Sequence, residues 1–219
     1  MKRGLVALGD SITHGDGEPM LDVHCQSWAQ WLAEALALPF TNLAVDGGQA
    51  GDVLREQVPR LAGPYDVGCL YTGVNDVRDP AWDAAAYTRD LEAVLAALVP
   101  ACDLVLVCTV PEDLGRPTAA PKPVAANAIV RAAAQRAGAR IVALDDFAGA
   151  AWTLPDAVHA TAAGQVEIAR RALAASGLES HAPLPQADRS PGALRRWRRR
   201  RARLGLQDRR RLVVERWRR

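Results

Sequence analysis

Ser11 follows the apolar run 5–8 and the pair Gly9-Asp10, so its hydroxyl is presented where a buried strand would end. Gly9 permits a tight backbone turn at that point. A serine hydroxyl is a weak nucleophile at neutral pH and needs a base in hydrogen-bond reach, itself held by a third group. His159 is the candidate base, and Asp156, three residues earlier, is placed to fix its tautomer and stabilise the imidazolium. Acyl transfer also requires donors aimed at the developing oxyanion, each worth about 2.7–4 kcal/mol of barrier. The candidates are the backbone N–H of Ser11, the backbone N–H of Gly47 in the doublet Gly47-Gly48, and the side-chain amide of Asn75. Two acids accompany them. Asp10 is expected to bond turn amides around Ser11, and Asp76 either to orient Asn75 or to cap the helix after it.

Other polar and aromatic residues divide less sharply. His14 either lines an acyl pocket or is an exposed loop histidine. His24 beside Cys25 makes no metal site, because adjacent side chains point apart and no partner spacing completes one. Trp28 and Trp31 are expected to pack the first long helix, with Trp31 off its main stripe and near the cleft mouth. Trp82 and Trp152 either shape an acyl pocket or pack in loops. No phosphate-binding loop, zinc-ligand cluster or G-x-S-x-G elbow is present, so no metal or cofactor is expected.

Short apolar runs bounded by turn signals predict five strands, at 5–8, 40–45, 67–71, 104–110 and 141–144. Between and after them lie stretches with helical period: Trp28, Leu32, Ala35 and Leu36; residues 50–62; Tyr87, Leu91, Val94, Leu95 and Leu98; residues 124–137; and residues 162–175. Ser27 with Gln30 three residues on predicts a capping box. This alternation implies a parallel sheet with right-handed crossovers and helices on both faces. Such sheets bind ligands outside the carboxyl ends of their strands. Ser11, Gly47, Asn75 and the Asp156–His159 pair all follow predicted strands, where that site would be.

Four segments resemble the four blocks of the SGNH (GDSL-type) hydrolase superfamily, in family order: GDSITHG at 9–15, NLAVDG at 42–47, GVND at 73–76 and DAVH at 156–159. The resemblance covers residues 4–176. It implies an α/β fold, a three-layer α/β/α, flavodoxin-like parallel sheet of about five strands, and a metal-independent hydrolase of carboxylic esters or thioesters. It also implies Ser11 as nucleophile, His159 as base with Asp156 as partner, and Ser11, Gly47 and Asn75 as oxyanion donors. Members place the glycine five residues after an asparagine at the position of Asn42, which selects Gly47 over Gly48. A Thr or Ser usually follows two residues later, where this chain has Gln49. Acetylated sugars, short acyl esters, lysophospholipids and acyl thioesters all fit this core chemistry.

The chain has 219 residues, 49% hydrophobic and 24% charged, enough for a core that needs neither disulfides nor metal. Fibrous, collagenous and fully disordered classes are excluded. Apolar runs such as 104–110 fall far short of the roughly 18 residues of a membrane span. The short apolar stretch before Gly9-Asp10 leaves no room for a signal peptide, so a cytoplasmic protein is expected. Cys25, Cys69, Cys102 and Cys108 lack C-x-x-C spacing and read as structural thiols.

The net charge of +2 hides an asymmetry: residues 189–219 hold 14 Arg against Asp208 and Glu215, a net +12, which leaves −10 on the rest. The expected organisation is a hydrolase domain over 1–179, a linker over 180–192 and an Arg-rich tail over 193–219. Leu194, Trp197 and Leu204, and then Leu206, Val213 and Trp217, recur at helical spacing. The tail is a basic helix for an anionic membrane surface or for nucleic acid, a helix folded back on its own acidic globule, or a disordered segment. A small-molecule acyl ester is the expected partner of the domain. The alternative is a catalytically weak scaffold recruited through the tail. The Pro-rich segment 111–122 is expected to be a loop near the site mouth.

Overall fold

In a computed structural model, residues 3–115 and 121–217 are described, with side chains to residue 207. Residues 116–120 of the Pro-rich segment, and the side chains of Val213 and Trp217, lie outside the described residues. Strands β1 (Leu5–Gly9), β2 (Phe40–Asn42), β3 (Tyr65–Tyr71), β4 (Cys102–Cys108) and β5 (Arg140–Val142) form one parallel sheet in the order β2-β1-β3-β4-β5. Residues Leu5 to Leu8 are fully buried, as befits a strand covered on both faces. Strand order reverses between β1 and β3, where a doubly wound sheet opens its binding crevice.

Helices α1 (Ser11–His14), α2 (Trp28–Ala35), α3 (Ala50–Asp52), α4 (Val74–Arg78), α5 (Ala84–Ala101), α6 (Lys122–Ala137), α7 (Ala162–Ser176) and α8 (Pro191–Trp217) complete the chain. α2 packs on α7, and α5 packs on α6 and α3; right-handed crossovers in this strand order put the two groups on opposite faces of the sheet. None of the described helices is long and apolar enough to cross a membrane.

Two strands are shorter than their apolar runs. Beyond Asn42 the chain turns, because the Asn42 side-chain oxygen accepts the N–H of Ala44 at 3.1 Å. Beyond Val142 the N–H of Leu144 donates to the Thr109 hydroxyl at 2.7 Å, so a side chain replaces the ladder. The stretch 50–62 is no regular helix. α3 runs into a π-helical turn, Val53–Gln57, and a 3-10 turn, Val58–Arg60, which contains Pro59. Proline has no N–H to continue an α-helical ladder. Ser27 caps α2, but through the N–H of Ala29, and the Gln30 amide donates to Glu34 instead of closing a capping box. The first amide of α2, on Trp28, donates to the Gln165 side chain at 2.9 Å.

The segment after α7 runs without helix or strand along the domain: His181 N–H donates to Ala35 O at 2.7 Å and Asp188 N–H to Leu21 O at 2.9 Å. α8 then lies on the domain, with Ala193 and Trp197 buried in the core and Arg196 within 3.4 Å of Asp22.

The early end of β2 leaves Gly9 without a strand neighbour on that side, and the Gln57 amide fills the place. It accepts from Gly9 N–H at 2.9 Å and donates to Gly9 O at 2.8 Å, fully buried. Gln57→Ala strands the Gly9 N–H and leaves the Gly9 carbonyl to the Val45 N–H alone, at an expected cost of about 1–3 kcal/mol in urea unfolding. A loss below about 1 kcal/mol would show that Gly9 finds other partners.

Candidate active site

β1 delivers Ser11 through a turn that only glycine fits. Gly9 has φ +149°, and a Cβ there would lie 2.2 Å from the carbonyl oxygen of Tyr71 and 2.8 Å from the Thr13 hydroxyl. Asp10 caps α1, its carboxylate accepting the Ile12 N–H at 3.0 Å. Ser11 is the first residue of α1, and its Oγ lies 3.0 Å from Nε2 of His159. Gln165, on α7, donates to Ile12 O at 2.9 Å, so the short helix that begins with Ser11 is held from behind.

His159 and Asp156 share one tight loop. Asp156 Oδ1 accepts the N–H groups of Val158 and His159 at 2.9 and 3.0 Å, while Oδ2 lies 2.7 Å from His159 Nδ1. Ala157 between them adopts φ +59°, the left-handed conformation that this turn demands. With Nδ1–H donated to the carboxylate, Nε2 is left as acceptor toward the Ser11 hydroxyl. Burial pushes the Asp156 carboxyl up, but the imidazole and the two amides outweigh it and hold it below the usual range. The same bond raises His159 above 6.5 against the opposing effect of burial, with Asp16 and Asp10 adding to the rise.

The loop after β2 is tied to this turn by Val45 N–H donating to Gly9 O at 3.2 Å. Gly48 donates its N–H to Val45 O, also at 3.2 Å. Gly47 is exposed at φ +75°, and its N–H has no acceptor among the described residues. Asn75 in α4 donates one amide hydrogen to Gly48 O at 3.1 Å, which leaves the other for a ligand. Asp76 caps neither its own helix nor Asn75. It accepts the Ala50 N–H at 3.1 and 3.3 Å and so joins α4 to the start of α3.

His14 is exposed, 3.2 Å from Asp16 and 3.1 Å from Asp46. These three are the one grouping among the described residues with metal-ligand proximity, and two of them are exposed. Trp31 is buried against His24, and Trp152 stacks on Phe147. Trp82 borders a polar cleft of about 180 Å³ together with Gln49, Asp76 and Asp79. Two larger cavities, of about 410 and 360 Å³, lie toward the C-terminal segment, and neither they nor the polar cleft is lined by Ser11, Asn75 or His159. Gln57 and Gln165 escaped the motif reading because each supports the site from a distant element; their only sequence signal is a polar residue in an apolar stripe.

Burial raises Asp10 from 3.8 to about 7 and Asp76 to about 6, in both cases against backbone hydrogen bonds that favour the charge. Above pH 3.8 the unfolded chain releases the Asp10 proton while the folded chain keeps it until about pH 7. Stability from this group therefore falls as pH rises through that window, by at most about 1.4 kcal/mol per unit. Asp156 has the opposite sign: its contribution is present above its unfolded value and is lost as pH falls. Asp10→Asn is expected to gain stability over the natural chain progressively from pH 4 to 7, measured by urea unfolding at each pH. A difference that does not change with pH would refute the buried-acid assignment.

Comparison with known proteins accords with this geometry. The model of the GDSL-like lipase/acylhydrolase family matches residues 7–166. The enzyme LAE5 from the metagenome of Lake Arreo, described as an α/β hydrolase, superimposes with a TM-score of 0.63 at 22% identity, covering 80% of this chain and 95% of its own. An acetylxylan esterase from Geobacillus stearothermophilus gives 0.60 at 16%, covering 82% and 98%. A protein from Parabacteroides merdae described as a GDSL-like lipase gives 0.65 at 20%, also covering 82% and 98%. No match was found among curated proteins. With the family model spanning most of its length and the four blocks on the ends of one parallel sheet, the chain belongs to the GDSL-like lipase/acylhydrolase family.

Proposed function

We propose that the chain hydrolyses carboxylic esters or thioesters of small acylated substrates through an acyl-enzyme on Ser11. The observation that carries this reading is the continuous chain from Ser11 Oγ to His159 at 3.0 Å and on to Asp156 at 2.7 Å. Ser11 attacks the acyl carbon as its proton passes to Nε2, and the N–H groups of Ser11 and Gly47 with the amide of Asn75 receive the oxyanion. Collapse expels the alcohol or thiol, which takes the proton from His159. Water then repeats the sequence and releases the acid. Nucleophile, base and oxyanion donors are all side chains or amides, so the reaction as proposed needs no metal and survives chelation.

Four free thiols, three of them buried, suit the reducing cytoplasm. Arg195, Arg199 and Arg203 face outward on α8; there an anionic membrane surface or nucleic acid would be held in a salt-dependent manner. The reading as a catalytically weak scaffold gains no support, since the similar structures include a named esterase and a lipase-like protein.

Hydrolysis of nitrophenyl esters of graded length by the natural chain and Ser11→Ala tests the proposal. The variant is expected to lose about 10³-fold or more in kcat/KM; full activity in Ser11→Ala would overturn it. His159 acts as a neutral base, so kcat/KM should rise with pH along a limb whose midpoint lies above 6.5. Asp156→Asn removes the main cause of the raised value, so it should move that limb to lower pH while lowering kcat about 10²–10⁴-fold. A limb that stays in place would show that Asp156 does not set the imidazole.

A further inference from the structure

We propose that α8 braces the loop carrying Asp156 and His159, with Arg201 as its positioning residue; this role rests on the hydrolase reading above. The loop contains neither helix nor strand. Its internal ties are turn and side-chain hydrogen bonds, among them Leu154 N–H to His159 O at 2.8 Å, Ala157 N–H to Leu154 O at 3.0 Å, Thr161 N–H to Trp152 O at 2.9 Å and the two amides on Asp156, with one bridge between Thr153 and Ala160 in place of a ladder. At its tip Ala157 is held in the left-handed region, a strained state for a residue with a Cβ. Such a turn persists only where its surroundings over-determine it.

α8 supplies that surrounding. The Arg201 guanidinium donates to the carbonyl of Thr153 and, at 3.5 Å, to that of Ala150. Gly205 lies against Pro155, the residue before Asp156, with room for a Cβ at 3.7 Å from the proline ring. Among the described arginines of α8, Arg201 is the one that is not exposed. Burial lowers its proton affinity and the Asp156 carboxylate opposes that effect, so its charge is within reach of the catalytic acid.

The helix is anchored independently of this contact. Trp197 is 7% exposed and Ala193 2%, both within the core. Arg196 pairs with Asp22, and Arg200 with Glu18, in the segment that follows α1. Glu18 is itself joined to the far end of the catalytic loop, its carbonyl accepting the Ala162 N–H at 3.0 Å. One helix thus ties the segment after the nucleophile to the segment bearing the base. The family model ends at residue 166, so this helix is an addition beyond the family match.

The test uses the full chain as Arg201→Met, which keeps the apolar stem, and as Arg201→Lys, which keeps charge and donor, with the exposed Arg198→Ala as control. Two readouts are taken: kcat and KM on a short-chain nitrophenyl ester, and the NMR titration of the His159 imidazole, assigned by its loss in His159→Gln. Around that imidazole stand Asp156, Asp16 and Asp10. Arg201→Met is expected to lower kcat about tenfold or more with KM within about twofold, and to move the His159 midpoint down toward 6.5 as Asp156 loosens its hold. Arg201→Lys should recover most of both, and Arg198→Ala should change neither. A fall in Tm with kcat and midpoint unchanged would overturn the brace. So would a midpoint that rises, because that is the signature of a lost positive charge and not of a displaced loop. If the natural chain shows no Ser11-dependent esterase activity, the hydrolase reading fails by itself, and the His159 titration still decides whether Arg201 sets the loop.

Discussion

An imidazole can serve a serine only if one ring nitrogen is held as donor so that the other is free as acceptor, and this chain secures that with the 2.7 Å contact between His159 Nδ1 and Asp156. The contact is local, three residues apart, yet its geometry is not. Asp156 can present Oδ2 to the ring because its other oxygen is occupied by two amides of the same turn. The turn closes only with Ala157 left-handed. Its far end is pinned by Thr161, whose hydroxyl caps α7 through the Gly164 N–H and donates to Ala151 O. The carboxylate is therefore fixed by backbone, and the imidazole by the carboxylate.

Ser11 meets this pair from a different part of the chain, 148 residues away. The parallel sheet makes the meeting possible, since it delivers every strand's carboxyl end to one rim. Precision at that rim comes from amide side chains acting as substitute backbone. Gln57 completes the edge of β1 at Gly9, and Gln165 joins the start of α2 to α1 by accepting from Trp28 N–H and donating to Ile12 O. Each satisfies two buried backbone groups at once, which an apolar residue of the same size would leave costly.

The division between what was and was not legible in the sequence follows range. Ser11, Gly47 and Asn75 stand in short blocks directly behind apolar runs, and Asp156 and His159 share one short block, so residue type and position sufficed to single them out as candidates. Strand existence and order of elements were legible for the same reason, because alternation of apolar runs and helical period is a local signal. Strand ends were not: Asn42 and Thr109 stop β2 and β5 with side-chain hydrogen bonds that hydropathy does not register. The stretch 50–62 shows helical period, yet Pro59 and the demand for Gln57 at Gly9 break it into three kinds of turn. For the basic helix, spacing identified an apolar face of Leu194 and Trp197 but carried no information about what that face would meet.

Charge around the imidazole completes the argument. Asp10 is raised by burial to about 7 and lies within the field of His159, whose own proton affinity is raised in part by Asp10. While Asp10 keeps its proton its site is neutral, and once it ionises it adds a second carboxylate to that of Asp156 in the field of the imidazole. Each proton that leaves makes the next harder to remove, because a newly ionised Asp10 favours the imidazolium, so the titration belongs to the set and not to His159 alone. The negative field of Asp156, Asp16 and Asp10 also favours the imidazolium that the proposed attack by Ser11 would form. The buried acid next to Ser11 thus costs folding stability near neutral pH, while its carboxylate would stabilise the charge that the proposed mechanism creates.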